Sequence, residues 1–126
     1  MREVVFALLP RVVLLDLAGP ADAFRNANKK VPGSYRLRFV APTPSLPSSV
    51  GLELAGLEPL PPQLPDDAIV VVVGITGESI PLDEPAIAAV TQWLASGADT
   101  HQHSIFRDPG SQPLRHRCNR GLIERY

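Results

Sequence analysis

An open α/β sheet of mainly parallel strands is the fold class this chain predicts, and three observations predict it. Residues 4–9 (Val-Val-Phe-Ala-Leu-Leu) and 69–73 (Ile-Val-Val-Val-Val) are unbroken apolar runs, as strands buried on both faces of a sheet require. The first run leads through the acid Asp16 to a Gly19-Pro20 pair that can open a helix, because proline has no N–H to lose in a first helical turn. After the second run, Ile87, Val90 and Leu94 recur at helical spacing.

The elements follow in order. The run 4–9 is stopped by Pro10 and Arg11. Asp22 complements the positive end of a helix starting at Pro20, and Ala21, Phe24 and Ala27 fall on one face of it. Gly33 supplies a turn into residues 35–41, where apolar and basic residues alternate as in a strand with one wetter face. Pro42, Pro44, Pro47, Pro59, Pro61, Pro62 and Pro65 exclude a helix from 42 to 65, so this stretch reads as an irregular crossover, with residues 50–54 able to form a hairpin arm. Asp66 and Asp67 keep the entry to the run 69–73 in water. Asp83 reads as the cap of a second helix, with Glu84 and Pro85 in its first turn and Gly97 at its end; Trp93 reads as packing on the sheet.

Composition bounds the function classes. The chain has 126 residues, 44% of them hydrophobic, enough for one core. With 12 basic and 13 acidic residues, net charge −1, neither nucleic acid nor an anionic membrane is a partner for the domain as a whole. One cysteine excludes an internal disulfide and suggests a cytoplasmic protein. Glu3 spoils a signal-peptide start, and Pro10 and Arg11 cut the apolar run far below spanning length.

Asp16 is the residue to explain. In an open α/β sheet, ligands sit outside the carboxyl ends of the strands, so an acid in the first strand-to-helix connection lies near any pocket. It reads equally as a helix cap or a satisfied buried acid. The run 4–9, Leu15-Asp16-Leu17-Ala18-Gly19-Pro20, Phe24 and Asn26-Ala27-Asn28 resemble the opening of the ThiJ/PfpI superfamily, which shares the class I glutamine amidotransferase-like fold. More narrowly they resemble the ligand-sensing domain that precedes the DNA-binding helix-turn-helix of AraC-type transcription regulators. The likeness continues through residues 35–41, Ser48-Ser49-Val50-Gly51-Leu52, residues 69–74 and Trp93-Leu94, about the first hundred residues.

The resemblance implies a flavodoxin-like three-layer sandwich, often dimeric, in which the acid matching Asp16 faces a cysteine on a sharp turn across a small pocket. In isocyanide hydratases that acid takes part in proton transfer; in the regulators the pocket is thought to sense a small ligand. A pocket so placed here would be lined by Asp16, Gly19, Pro20, Gly74, Ile75 and Thr76. The glycine-rich turn Gly74-Ile75-Thr76-Gly77 could offer backbone N–H groups there, though Ile75 replaces the usual second glycine; it also reads as an ordinary strand-ending turn.

Beyond residue 100 the chain departs from that pattern. The expectation is a partial ThiJ/PfpI-like domain over 1–100 and a divergent basic tail over 101–126, with no apolar strand of adequate length and no nucleophile elbow. Cys118, among Arg115, His116, Arg117 and Arg120, could be a displaced thiolate, but its flanks are wrong for an elbow and it reads as an incidental thiol. His101, His103, His116 and Cys118 could converge on zinc if two extended segments paired, yet match no established spacing. Arg107, Arg115, Arg117, Arg120 and Arg125 lack the interleaved aromatics of a phosphate-reading surface and read as a solvated tail. No catalytic residue, metal or cofactor is assigned.

Two functions from different classes follow. The favoured one is a sensor or interaction domain of an AraC-type regulator, binding a small polar metabolite without chemistry of its own, and touching DNA only through a helix-turn-helix domain absent from this chain. The other is an isocyanide-hydratase-like enzyme, probed by the dependence of Cys118 reactivity on Asp16. A chain shortened naturally, by a frame change near residue 101, or by a boundary set in cloning would expose sheet edge and apolar faces, so self-association is expected.

Overall fold

The computed structural model describes residues 1–74 and 84–96 in full, and the backbone of three further strands over 103–106, 116–118 and 121–125. Its centre is a six-stranded sheet. β1 (Arg2–Ala7) pairs in parallel with β2 (Tyr35–Val40) on one side and β5 (Ile69–Val72) on the other. Further out lie β6 (His103–Phe106), β8 (Gly121–Arg125) and β7 (His116–Cys118), giving the order β2-β1-β5-β6-β8-β7. A short antiparallel hairpin of β3 (Leu46–Pro47) and β4 (Glu53–Leu54) stands apart. Helices α1 (Leu14–Lys30) and α2 (Pro85–Ser96) cover opposite faces of the sheet, the flavodoxin-like α/β arrangement.

Alternation in β1 divides the core in two. Val4 and Phe6 point to one face, where with Leu8, Val12, Val71 and Val73 they meet Leu17, Ala21 and Phe24 of α1. Val5 and Ala7 point to the other, where Val70 and Val72 join them against Ala86 and Val90 of α2. Both apolar runs are thus buried on both sides, as their composition requires. Ile87, Trp93 and Leu94 pack on the second cluster, and the Trp93 indole N–H donates to the carbonyl of Pro61 at 2.6 Å, which confirms packing as its role. Gly33 adopts φ 76° in the turn before β2.

Three expectations before residue 100 need correction. β1 begins two residues earlier than the apolar run, because Arg2 pairs with Tyr35, and it ends at Ala7 with Leu8 and Leu9 buried beyond it. Gly19-Pro20 does not open the first helix: α1 starts at Leu14 and runs through Pro20, so Asp16 lies in its first turn rather than in a loop. The α2 start is Pro85, preceded by Glu84, whose carbonyl accepts from Ile87 and Ala88; Asp83 and Gly97 lie outside the described residues.

The reading of everything after residue 100 as a tail without a sheet strand is the largest correction. β6 joins the sheet in parallel register, Ile69 opposite His103 through Val72 opposite Phe106. A four-residue strand is selected by the hydrogen-bonding edge that β5 offers as much as by its own apolar content, and that edge is invisible in local sequence. β8 follows in parallel and β7 returns antiparallel, with Cys118 opposite Gly121. The two extended segments that would have had to pair for zinc are not neighbours, since β8 lies between β6 and β7. Among the described residues no group of three His, Cys, Asp or Glu side chains could hold a metal ion. His101, Arg107, Arg115 and Arg120 lie outside the described residues.

Polar contacts tie the β2 end of the sheet. Arg38 donates to Glu58 from Nη2 at 2.7 Å and from Nε at 3.0 Å, and to Glu3 from Nη1 at 3.1 Å. Hydrogen bonding to Glu58 raises the Arg38 pKa, burial opposes this, and Glu3 adds to the rise. A raised value means that the contact contributes fully below the ordinary arginine range and is lost only as pH climbs through the raised one.

Candidate functional site

The helix start carries the site. Val13 is extended, with φ −69° and ψ 110°, and offers no side-chain cap to α1. Orphan N–H groups of a first turn must be satisfied elsewhere. Here the tertiary structure supplies the partners. The Val13 N–H donates to the carbonyl of Gly74 at 2.9 Å, and the Leu14 N–H donates to Ser49 Oγ at 3.4 Å. The hairpin is held in turn by Ser49 N–H to the Val12 carbonyl at 2.9 Å and by Arg11 N–H to the Pro47 carbonyl at 2.7 Å. Arg11 makes this connection with φ 64°, a left-handed conformation rare outside glycine.

These bonds bring the first turn of α1 to the carboxyl ends of β1 and β5. Asp16 is half-buried there and engaged in the structure, and its charge complements the positive end of the helix dipole. Gly19 and Pro20 lie three and four residues on, hence on the same side of α1 as Asp16. Gly19 is exposed, and a Cβ built on it would meet nothing within 4 Å. Pro20 leaves the carbonyl four residues back without its usual helical donor, and α1 nevertheless continues to Lys30. Asp16, Gly19 and Pro20 thus lie on the first two turns of α1, and the start of that helix is bonded to Gly74 at the end of β5. The Gly74 carbonyl is used in joining β5 to α1, and Ile75 and Thr76 lie outside the described residues.

Sequence reasoning missed the hairpin's part. Ser48 is buried, at 3% exposure, and its hydroxyl has no hydrogen-bonding partner among the described residues, while Ser49 serves the helix start. The signal available was the serine pair in a proline-rich stretch, but nothing local shows which distant N–H a serine will accept from.

Cys118 stands elsewhere. It lies on β7, the outermost strand, with β5, β6 and β8 between it and β1. Four strand spacings amount to about 19 Å across the sheet.

No family profile matches the chain, and no curated protein matches it in sequence. Solved structures do match its fold. An AraC family transcriptional regulator from Pseudomonas putida superposes with TM-score 0.60 at 19% identity, over 85% of this chain and 57% of that one. A ThiJ/PfpI family protein from Pseudomonas syringae gives 0.58 at 14% identity, over 99% of this chain and 62% of its own length. A provisionally named protease I from Bacteroides thetaiotaomicron gives 0.62 at 9% identity, covering 99% and 90%. This chain thus spans less than two thirds of the regulator and of the Pseudomonas syringae protein. Its architecture is the ThiJ/PfpI-like α/β fold that these structures share.

Proposed function

We propose that this chain is a ligand-sensing domain of an AraC-type regulator, binding a small polar metabolite where α1 meets β5, with Asp16 as the principal polar contact. The observation that carries the reading is the Val13–Gly74 hydrogen bond, which sets a half-buried acid at the carboxyl ends of two adjacent parallel strands. That is where open α/β sheets bind their ligands. The likeness to the Pseudomonas putida regulator supports it. In this reading the chain works in the cytoplasm, is shortened before the superfamily's cysteine turn, self-associates, and contacts DNA only through a separate helix-turn-helix module. The hydratase-like alternative needs a thiolate beside Asp16, and the place of Cys118 on β7 favours the sensor.

A thermal-shift screen of amino acids, small amines and hydroxy acids tests the proposal. A ligand at a hundred times its Kd adds about 2.7 kcal/mol to the folded state. The expected result is a compound that raises the melting temperature of the wild type and not of Asp16→Asn, each read against its own ligand-free melt. A hit indifferent to Asp16→Asn would overturn the assignment of the site. Fast labelling of Cys118 by a thiol probe, suppressed in Asp16→Asn, would favour the enzyme instead.

A further inference from the structure

β2 is an outer strand of the sheet, and outer strands present unpaired N–H and C=O groups to any extended chain that meets them. By strand alternation the peptide groups of Ser34, Arg36, Arg38 and Val40 face β1, as the bonds from Arg2 to Ser34 and from Leu8 to Val40 record. Those of Tyr35, Leu37, Phe39 and Ala41 face outward. Two devices close this outward row. At one end the Asn28 amide acts as a substitute strand residue: Nδ2 donates to the Tyr35 carbonyl and Oδ1 accepts the Tyr35 N–H, both at 2.8 Å. At the other, Glu58 lies beside Val40 in a single parallel bridge, its N–H donating to the Phe39 carbonyl at 2.9 Å and its carbonyl accepting from Ala41 at 3.0 Å. Pro59 follows, and alternation turns its missing N–H away from β2, to the outer side of this segment. Between the two devices, the Leu37 N–H and carbonyl and the Phe39 N–H have no hydrogen-bonding partner among the described residues.

We propose that the segment carrying Glu58 is an edge strap, latched by Arg38, that keeps β2 from pairing with β2 of a second copy. Its anchors straddle the edge: Leu57 packs on the α1 face of the sheet and Leu60 on the α2 face. The latch lies between them, with Arg38 holding Glu58 and Glu3 together while Arg36 stands 3.8 Å from the other oxygen of Glu3. The arginines add a second guard. Antiparallel self-pairing centred on Leu37 sets Arg36 opposite Arg38, a like-charge pair. Released β2 edges therefore associate better as salt screens that repulsion.

The test uses the full chain as wild type, Glu58→Lys and Glu58→Gln. Amide exchange at Ala41 and residue 58 reads the strap, exchange at Val5 and Val70 reads the core, and sedimentation reads association. Glu58→Lys is expected to speed exchange at Ala41 and residue 58 by about 5-fold to 10-fold over any change at Val5 and Val70. It should also shift the protein toward dimers and larger species, more so at high salt. Glu58→Gln, which keeps an acceptor for Arg38, should fall between the two and serves as the measured variant if Glu58→Lys does not fold. Unchanged exchange at Ala41, or a rise shared equally by Val5 and Val70, overturns the latch. Local opening at Ala41 with the association of wild type overturns the guarding role.

Discussion

The two faces of the central sheet are built from neighbouring residues of the same strands, and they are packed by different means. On the α1 face the contacts are aromatic and specific in shape. Phe6 stacks on Phe39 with ring centres 5.1 Å apart and meets Phe24 edge-on at 6.4 Å, and Phe24 meets Tyr35 at 4.9 Å. On the α2 face Val5, Ala7, Val70 and Val72 meet Ala86 and Val90 through small, branched surfaces, and the β2 end is closed by arginine and glutamate. The difference teaches that alternation decides which residues share a face, while side-chain size decides how strongly that face fixes its helix. Volume-tolerant packing adapts; a stacked cluster does not.

Substitutions should sharpen that contrast. Phe6→Ala, at a fully buried position, is expected to cost about 3–5 kcal/mol in urea unfolding. Val5→Ala, equally buried on the other face, should cost about half as much, within the range of roughly 1.5–3 kcal/mol for burying such a side chain. Equal losses would break the comparison. Asn28→Ala removes both bonds to the Tyr35 backbone and should cost about 1–3 kcal/mol, with faster amide exchange at Tyr35. Trp93→Phe keeps the ring packing of the α2 face and loses the bond to Pro61, for about 1 kcal/mol by the same measurement. The smallest effect has the opposite sign: Gly19→Ala fills open space on an exposed helical position and should stabilise by roughly 0.5–1 kcal/mol, read as a higher melting temperature. A metabolite bound at Gly19 would be weakened by the same change, which separates a gain in stability from a loss of binding.

Particular residues show why some of this was legible. The runs at 4–9 and 69–73 announced doubly buried strands because apolar residues on both sides of a pleat leave no other solution. Ile87, Val90 and Leu94 announced α2 through helical spacing, and the crossover from 42 to 65 followed from its prolines. The first helix was misplaced because its start has no local cap: Val13 is held by Gly74, and Leu14 by Ser49, partners 61 and 35 residues away in sequence. β6 was missed for a related reason, since its pairing is with the edge of β5.

By itself the chain's sequence determined that β1 and β5 would be buried on both faces, which of their residues would share a face, and that an acid would lie near the sheet's carboxyl end. Those outcomes depend on local polarity and period. Only the tertiary structure decided where α1 begins, that the serine hairpin would serve it, how Asn28 and Glu58 close the outer strand, and that Cys118 would stand far from Asp16. Each is a hydrogen bond or strand order between segments remote in the chain, and such partners are chosen by geometry after the sheet has formed.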